Sequence, residues 1–157
     1  MEKILVSACL LGENCKYSGG SNYHEGVVNF LKENEGRIEA IPVCPEADGG
    51  LGTPRAPAEI RGNAVVTKEG EDVTDAFIKG AKKTAELAGT HNCRLAILKE
   101  RSPSCGSGSI YDGTFTGTIV AGDGKTVEYL KRIGVTVYGE SEVEGLKENH
   151  ADLYPLV

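Results

Sequence analysis

Three cysteines hold matching places in this chain. Cys9 follows the run "KILVSA", Cys44 follows "RIEAIPV", and Cys105 lies a few residues beyond "RLAIL". Each run reads as a strand. In a sheet of parallel strands, sequence-distant strand ends meet at one edge, so three thiols can converge there with no local C-x-x-C pair. Thiolates gathered among Gly, Ser and Pro suit a soft metal or an iron–sulfur cluster. Structural zinc usually takes paired ligands at short spacing, and the cysteines and His24, His91 and His150 lack that pattern. The plain alternative is that free cysteine is a common core residue. It suits Cys93, which enters its strand from the opposite end. Cys15, six residues past Cys9, is open between a fourth ligand, a resolving thiol and a packed side chain.

Other groups stand near the same edge. Glu46 in "CPE" suits acid–base work or a solvated cap. Ser102 and Ser104 flank Pro103 and can donate to a ligand or shape the turn. Arg55 in "TPRAP" can hold an anion or pin its loop to an acidic residue.

These residues need elements to position them. Val27, Phe30 and Leu31 have helical spacing within His24 to Glu35. The stretch from Cys44 to Glu59 reads as a Pro/Gly loop, followed by a short ribbon turning at Gly62-Asn63. A helix capped by Thr74 runs to about Gly89, with Phe77, Ala81, Ala85 and Ala88 as its buried stripe. After the third strand comes a second glycine loop, Arg101 to Gly124. The helix "KTVEYLKRI" and the strand "GVTVYGE" complete the pattern. This alternation predicts one α/β domain, Rossmann-like, over residues 1–140. It has a mainly parallel sheet of about four strands, with helices on both faces and long loops at the C-terminal edge. Residues 141–157 are expected to be a peripheral tail with room for one helical turn.

Composition narrows the function. The chain has 157 residues, 39% hydrophobic and 25% charged, with a net charge of −6. That balance argues against nucleic acid as the main partner. No apolar run approaches the roughly 20 residues of a membrane span, and the N-terminus lacks the three-part signal-peptide form. Five cysteines, an odd number, fit a reducing cytoplasm better than a disulfide framework. The glycines of "GSGSIYDG" and "GDGK" match no nucleotide-binding fingerprint.

The motifs "ILVSACLLGENCKYSGG", "IPVCPEADGGLGTPRAPAEI", "KEGEDVT", "AILKERSPSCGSGSIYDGTFTG" and "GDG" together carry a specific resemblance. In order and spacing the chain resembles the domain-of-unknown-function 523 family, whose characterised members include 2-thiouracil desulfidases. The match runs from Ile4 to about Val137. It implies a [4Fe–4S] cluster held by Cys9, Cys44 and Cys105, with the fourth iron open to the sulfur of the substrate. It implies Glu46 as the acid–base carboxylate and Ser102 as the assisting serine. The implied reaction is non-redox desulfuration of a thiolated nucleobase, a small-molecule thiocarbonyl. The rival is a non-catalytic iron–sulfur protein, a sensor or carrier. The chain departs from the family pattern at Gly52 and Ala56, where prolines are expected.

Overall fold

The computed structural model describes residues 1–148. Four strands form the central sheet: β1 (Glu2–Ser7), β2 (Ile38–Val43), β5 (Leu95–Leu98) and β8 (Thr136–Gly139). Their order is β2-β1-β5-β8, and every neighbouring pair is parallel. The expected parallel α/β architecture is therefore present.

Side-chain alternation explains why both faces are covered. Ile4 and Val6 of β1, with Leu95 and Ile97 of β5, point into one core. That core is completed by Val27 and Phe30 of α1 (Glu25–Glu33). Leu5, Ala96 and Leu98 point the other way. They meet Ala88 of α3 (Thr74–His91) and Val127 and Leu130 of α4 (Lys125–Arg132). A strand with period-two burial on two apolar faces has to lie between layers.

The helix at residue 74 starts differently from expectation. Thr74 is its first residue, not its cap; the Asp72 carboxylate accepts the Thr74 N–H at 2.9 Å. The Thr74 hydroxyl instead accepts the Val65 N–H at 2.9 Å. Thr84 takes the buried place expected of Ala85.

The expected ribbon is formed by β3 (Ala58–Arg61) and β4 (Ala64–Thr67). Both glycine loops hold more structure than their composition suggests. The first contains a one-turn helix, α2 (Pro45–Asp48). The second contains a hairpin, β6 (Ser109–Tyr111) and β7 (Ile119–Ala121).

The stretch after β8 also holds more structure than its composition suggests. Residues 143–148 form a helix, α5 (Val143–Glu148), and its Val143 and Leu146 are buried in the core beside Phe30. These two side chains pack in the same core as Ile4, Val6 and Val27. Residues 149–157 lie outside the described residues. Among the described residues no helix is long and apolar enough to cross a membrane.

Candidate metal centre

Cys9, Cys44 and Cys105 line one cavity of about 500 Å³ at the C-terminal edge of the sheet. Cys9 sits in a 3-10 turn, Ala8–Leu11, directly after β1. Cys44 links β2 to α2 as the residue before Pro45. Cys105 belongs to the loop after β5. Cys15 lines the cavity as well, whereas Cys93 is packed in the core with Leu130 and Val135. All five thiols are free.

Close backbone packing places two of these cysteines. A β-carbon on Gly80 of α3 would collide with the Pro45 carbonyl, and one on Gly49 with the Ala76 carbonyl. Bare backbone thus lets α2 rest directly on α3, fixing Cys44 and Glu46. The Cys105 loop is held by the start of α4. There the Lys125 and Thr126 N–H groups donate to the Pro103 and Ser104 carbonyls, each at 2.9 Å. A β-carbon on Gly124 would come within 2.5 Å of Ser104 backbone atoms. Gly124 of "GDG" therefore serves this docking, and the helix N-terminus is occupied by the cysteine loop instead of a phosphate.

Each sulfur has a polar neighbour. The Asn22 amide donates to Cys9 Sγ at 3.4 Å, the Cys44 thiol to the Cys15 carbonyl at 3.7 Å, and the Ser104 hydroxyl lies 3.5 Å from Cys105 Sγ. Burial raises the Cys9 pKa, with Cys44 as a smaller cause in the same direction. Burial likewise pushes Cys105 up to about 12, and the nearby Glu46 and Cys9 add to it. Cys15 also rises to about 12, first through burial and then through Cys44 and Cys9. These thiols are near enough to oppose one another's ionisation, a repulsion that bound iron would relieve. Among the described residues, no three His, Cys, Asp or Glu side chains are gathered tightly enough for a single ion. The donor set that the cavity does offer, soft thiols with no short-spaced ligand pair, is the kind an iron–sulfur cluster takes.

The carboxylate of Glu46 shares the cavity. It forms an ion pair with Arg55 at 3.5 Å, and their side chains are only 20% and 8% exposed. Burial raises the Glu46 pKa, while Arg55 and Ser104 act in the opposite direction. Arg55 also donates to the Cys15 carbonyl at 2.9 Å and to Thr53 Oγ1 at 3.0 Å. Of its two expected roles, pinning its loop to an acidic residue is the one seen. Its Nε is buried without a protein partner among the described residues.

The serine arrangement refines the expected role of Ser102. Ser102 Oγ accepts the N–H groups of Ser104 and Cys105, each at 3.1 Å. It lies 3.0 Å from Ser104 Oγ. With two donors already on its lone pairs, the Ser102 hydroxyl must donate to Ser104. The Ser104 hydroxyl is then free to donate to Glu46 Oε2, 3.5 Å away. Ser104, not Ser102, touches the carboxylate. The "SPS" motif displayed both hydroxyls but could not show which faced Glu46. Asn22, thirteen residues from Cys9, gave no local signal.

Comparison with known proteins supplies the family. The 2-thiouracil desulfurase family model matches residues 4–142. The chain belongs to the 2-thiouracil desulfurase family. A relative from Bacillus subtilis (strain 168), the uncharacterized protein YbbK, is 42% identical over 153 residues, spanning 91% of this chain and 99% of that one. A solved structure, the [4Fe-4S]-dependent thiouracil desulfidase TudS, matches with a TM-score of 0.88 and 46% identity over 100% of both chains. Family membership thus rests on both motif order and three-dimensional shape, and the cysteine cavity lies within the matched span.

Proposed function

We propose that this chain is a [4Fe–4S]-dependent desulfidase that converts 2-thiouracil, or a closely similar thiolated base, to its oxo form. The observation that carries this reading is a cavity that combines Cys9, Cys44 and Cys105 with the Glu46–Ser104–Ser102 chain. A sensor or carrier needs the thiols but has no use for a buried carboxylate with a serine relay. The likeness to a thiouracil desulfidase supports the same choice.

In this reading Cys9, Cys44 and Cys105 hold the cluster. When bound, it supplies a Lewis-acidic iron with one open position for the thiocarbonyl sulfur. The chain's own residues manage the water and the protons. Glu46, as carboxylate, takes a proton from water as the oxygen attacks the carbon of C=S. The C–S bond breaks, the C=O bond forms, and sulfide leaves with the protons that water supplied. No electrons are exchanged with an external donor.

Arg55 favours the carboxylate form of Glu46 against its burial, from 3.5 Å. Ser104 holds the carboxylate, and Ser102 orients Ser104 while tying down the Cys105 backbone. The substrate is taken to be a free small molecule, because a chain of net charge −6 offers little to a phosphate backbone. Free thiols and an iron–sulfur cofactor suit a reducing cytoplasm.

The test is replacement of Cys9, Cys44 and Cys105 by Ser, one at a time, followed by anaerobic reconstitution. Each variant should lose iron and desulfuration together. A variant with full iron and wild-type turnover would remove that cysteine from the ligand set.

A further inference from the structure

Of the chain's three phenylalanines, Phe30 and Phe77 are fully buried in the core. Phe115 is different. It belongs to none of the hydrophobic clusters, is half-buried, and lines the cavity that holds the cysteines. Its backbone is left-handed, with φ 58°. A bulky residue there is a genuine outlier that costs about 1–3 kcal/mol unless its surroundings enforce it.

The surroundings do enforce it. The hairpin tip between β6 and β7 is tied to β3 by its backbone. Glu59 Oε1 accepts the Gly113 and Phe115 N–H groups at 3.0 and 3.1 Å. Arg61 donates to the Gly113 carbonyl at 2.7 Å. Gly113 permits this approach, since a β-carbon would meet the Ile60 carbonyl at 2.8 Å. Within the tip, Asp112 accepts the Thr114 N–H and hydroxyl at 2.9 and 2.6 Å. Two ribbons are therefore clamped together, and the product of the clamp is one aromatic ring at the cavity wall. Core packing does not require that ring, and solvation does not favour it.

We propose that the Phe115 ring is the stacking face for the planar heterocycle of the substrate, which makes it a specificity-determining residue for the reaction. Stacking needs no hydrogen-bond readout, so the ring holds thio and oxo forms of one base about equally. This inference rests on the desulfidase reading, because it presumes a flat base in the cavity.

The test uses the iron-loaded protein and three chains: wild type, Phe115→Leu and Phe115→Tyr. Uracil, the unreactive oxo product, is titrated calorimetrically, and 2-thiouracil turnover is measured alongside. Phe115→Leu should weaken uracil binding and raise KM for 2-thiouracil by the same factor, roughly 5- to 150-fold for one lost base–aromatic stack. Its kcat should be unchanged, because the contact is equal in ground and transition states. Phe115→Tyr keeps the face and should restore both values. Uracil binding by Phe115→Leu equal to wild type would overturn the inference. Failure of the desulfidase reading shows separately, as wild-type protein with full iron that leaves 2-thiouracil intact. Uracil calorimetry still decides the stacking in that case, by loss of binding in Phe115→Leu or by its persistence.

Discussion

Gly80 of α3 lies directly against the Pro45 carbonyl of α2, with no room for a β-carbon between them. This contact sets the position of the turn that carries Cys44 and Glu46. Gly80→Ala should overpack it, at a cost of about 1–3 kcal/mol, and displace both residues. The expected result is a lower Tm with reduced iron retention and turnover. Gly89 lies on the same helix, and a β-carbon added there would meet nothing within 4 Å. Gly89→Ala should leave iron and turnover intact and raise stability by about 0.5–1 kcal/mol, through helix propensity alone. Thermal melts of the two variants check the contrast.

Glu46→Gln keeps size and polarity but removes the proton-accepting charge. Iron content should stay complete while turnover falls roughly 10²- to 10⁴-fold. The acid side of the kcat/KM profile should follow Glu46, whose pKa burial has raised. The Arg55 cation favours the carboxylate from 3.5 Å. Arg55→Met removes that support, so the Glu46 pKa rises further and the acid limb moves to higher pH. A limb that stays in place would separate Glu46 from the rate-determining proton transfer.

The two serines should part company. Ser104→Ala removes the hydroxyl beside Glu46, and turnover should fall roughly 10- to 100-fold with iron retained. Ser102→Ala leaves the Ser104 and Cys105 N–H groups without their acceptor, a loss worth about 1–3 kcal/mol. Its first symptom should be faster release of iron to a chelator, because the Cys105 backbone is loosened.

Much of this was legible in the sequence, for a physical reason. Strands buried on both faces announce themselves as apolar runs, and their ends define the sheet edge. Cys9, Cys44 and Cys105 could therefore be grouped from their places in the chain, and Cys93 set apart. The second hairpin and α2 were hidden because glycine-rich composition predicts turns and says nothing of what the turns dock against. The burial of Val143 and Leu146 was missed because two apolar residues in an acidic stretch make a weak periodic signal. The pairing of Glu46 with Ser104 spans 58 residues and depends on how two loops meet.

Cys15 and Cys93 test the choice of ligands from opposite sides. Cys93 is buried beneath the sheet, away from the cavity. Cys93→Ala should cost about 1 kcal/mol of stability and leave iron and turnover unchanged. Cys15→Ser should also retain iron, because three cysteines leave the open position that desulfuration requires. Loss of iron in Cys15→Ser would make Cys15 a ligand and revise the trio.

The most direct measurement follows 2-thiouracil through the reconstituted protein under anaerobic conditions with no reductant present, quantifying uracil and sulfide together. Non-redox desulfuration predicts catalytic turnover with the two products in equal amounts and no net redox change. Protein with a full complement of iron that forms no uracil, or forms it only with added reductant, would contradict it.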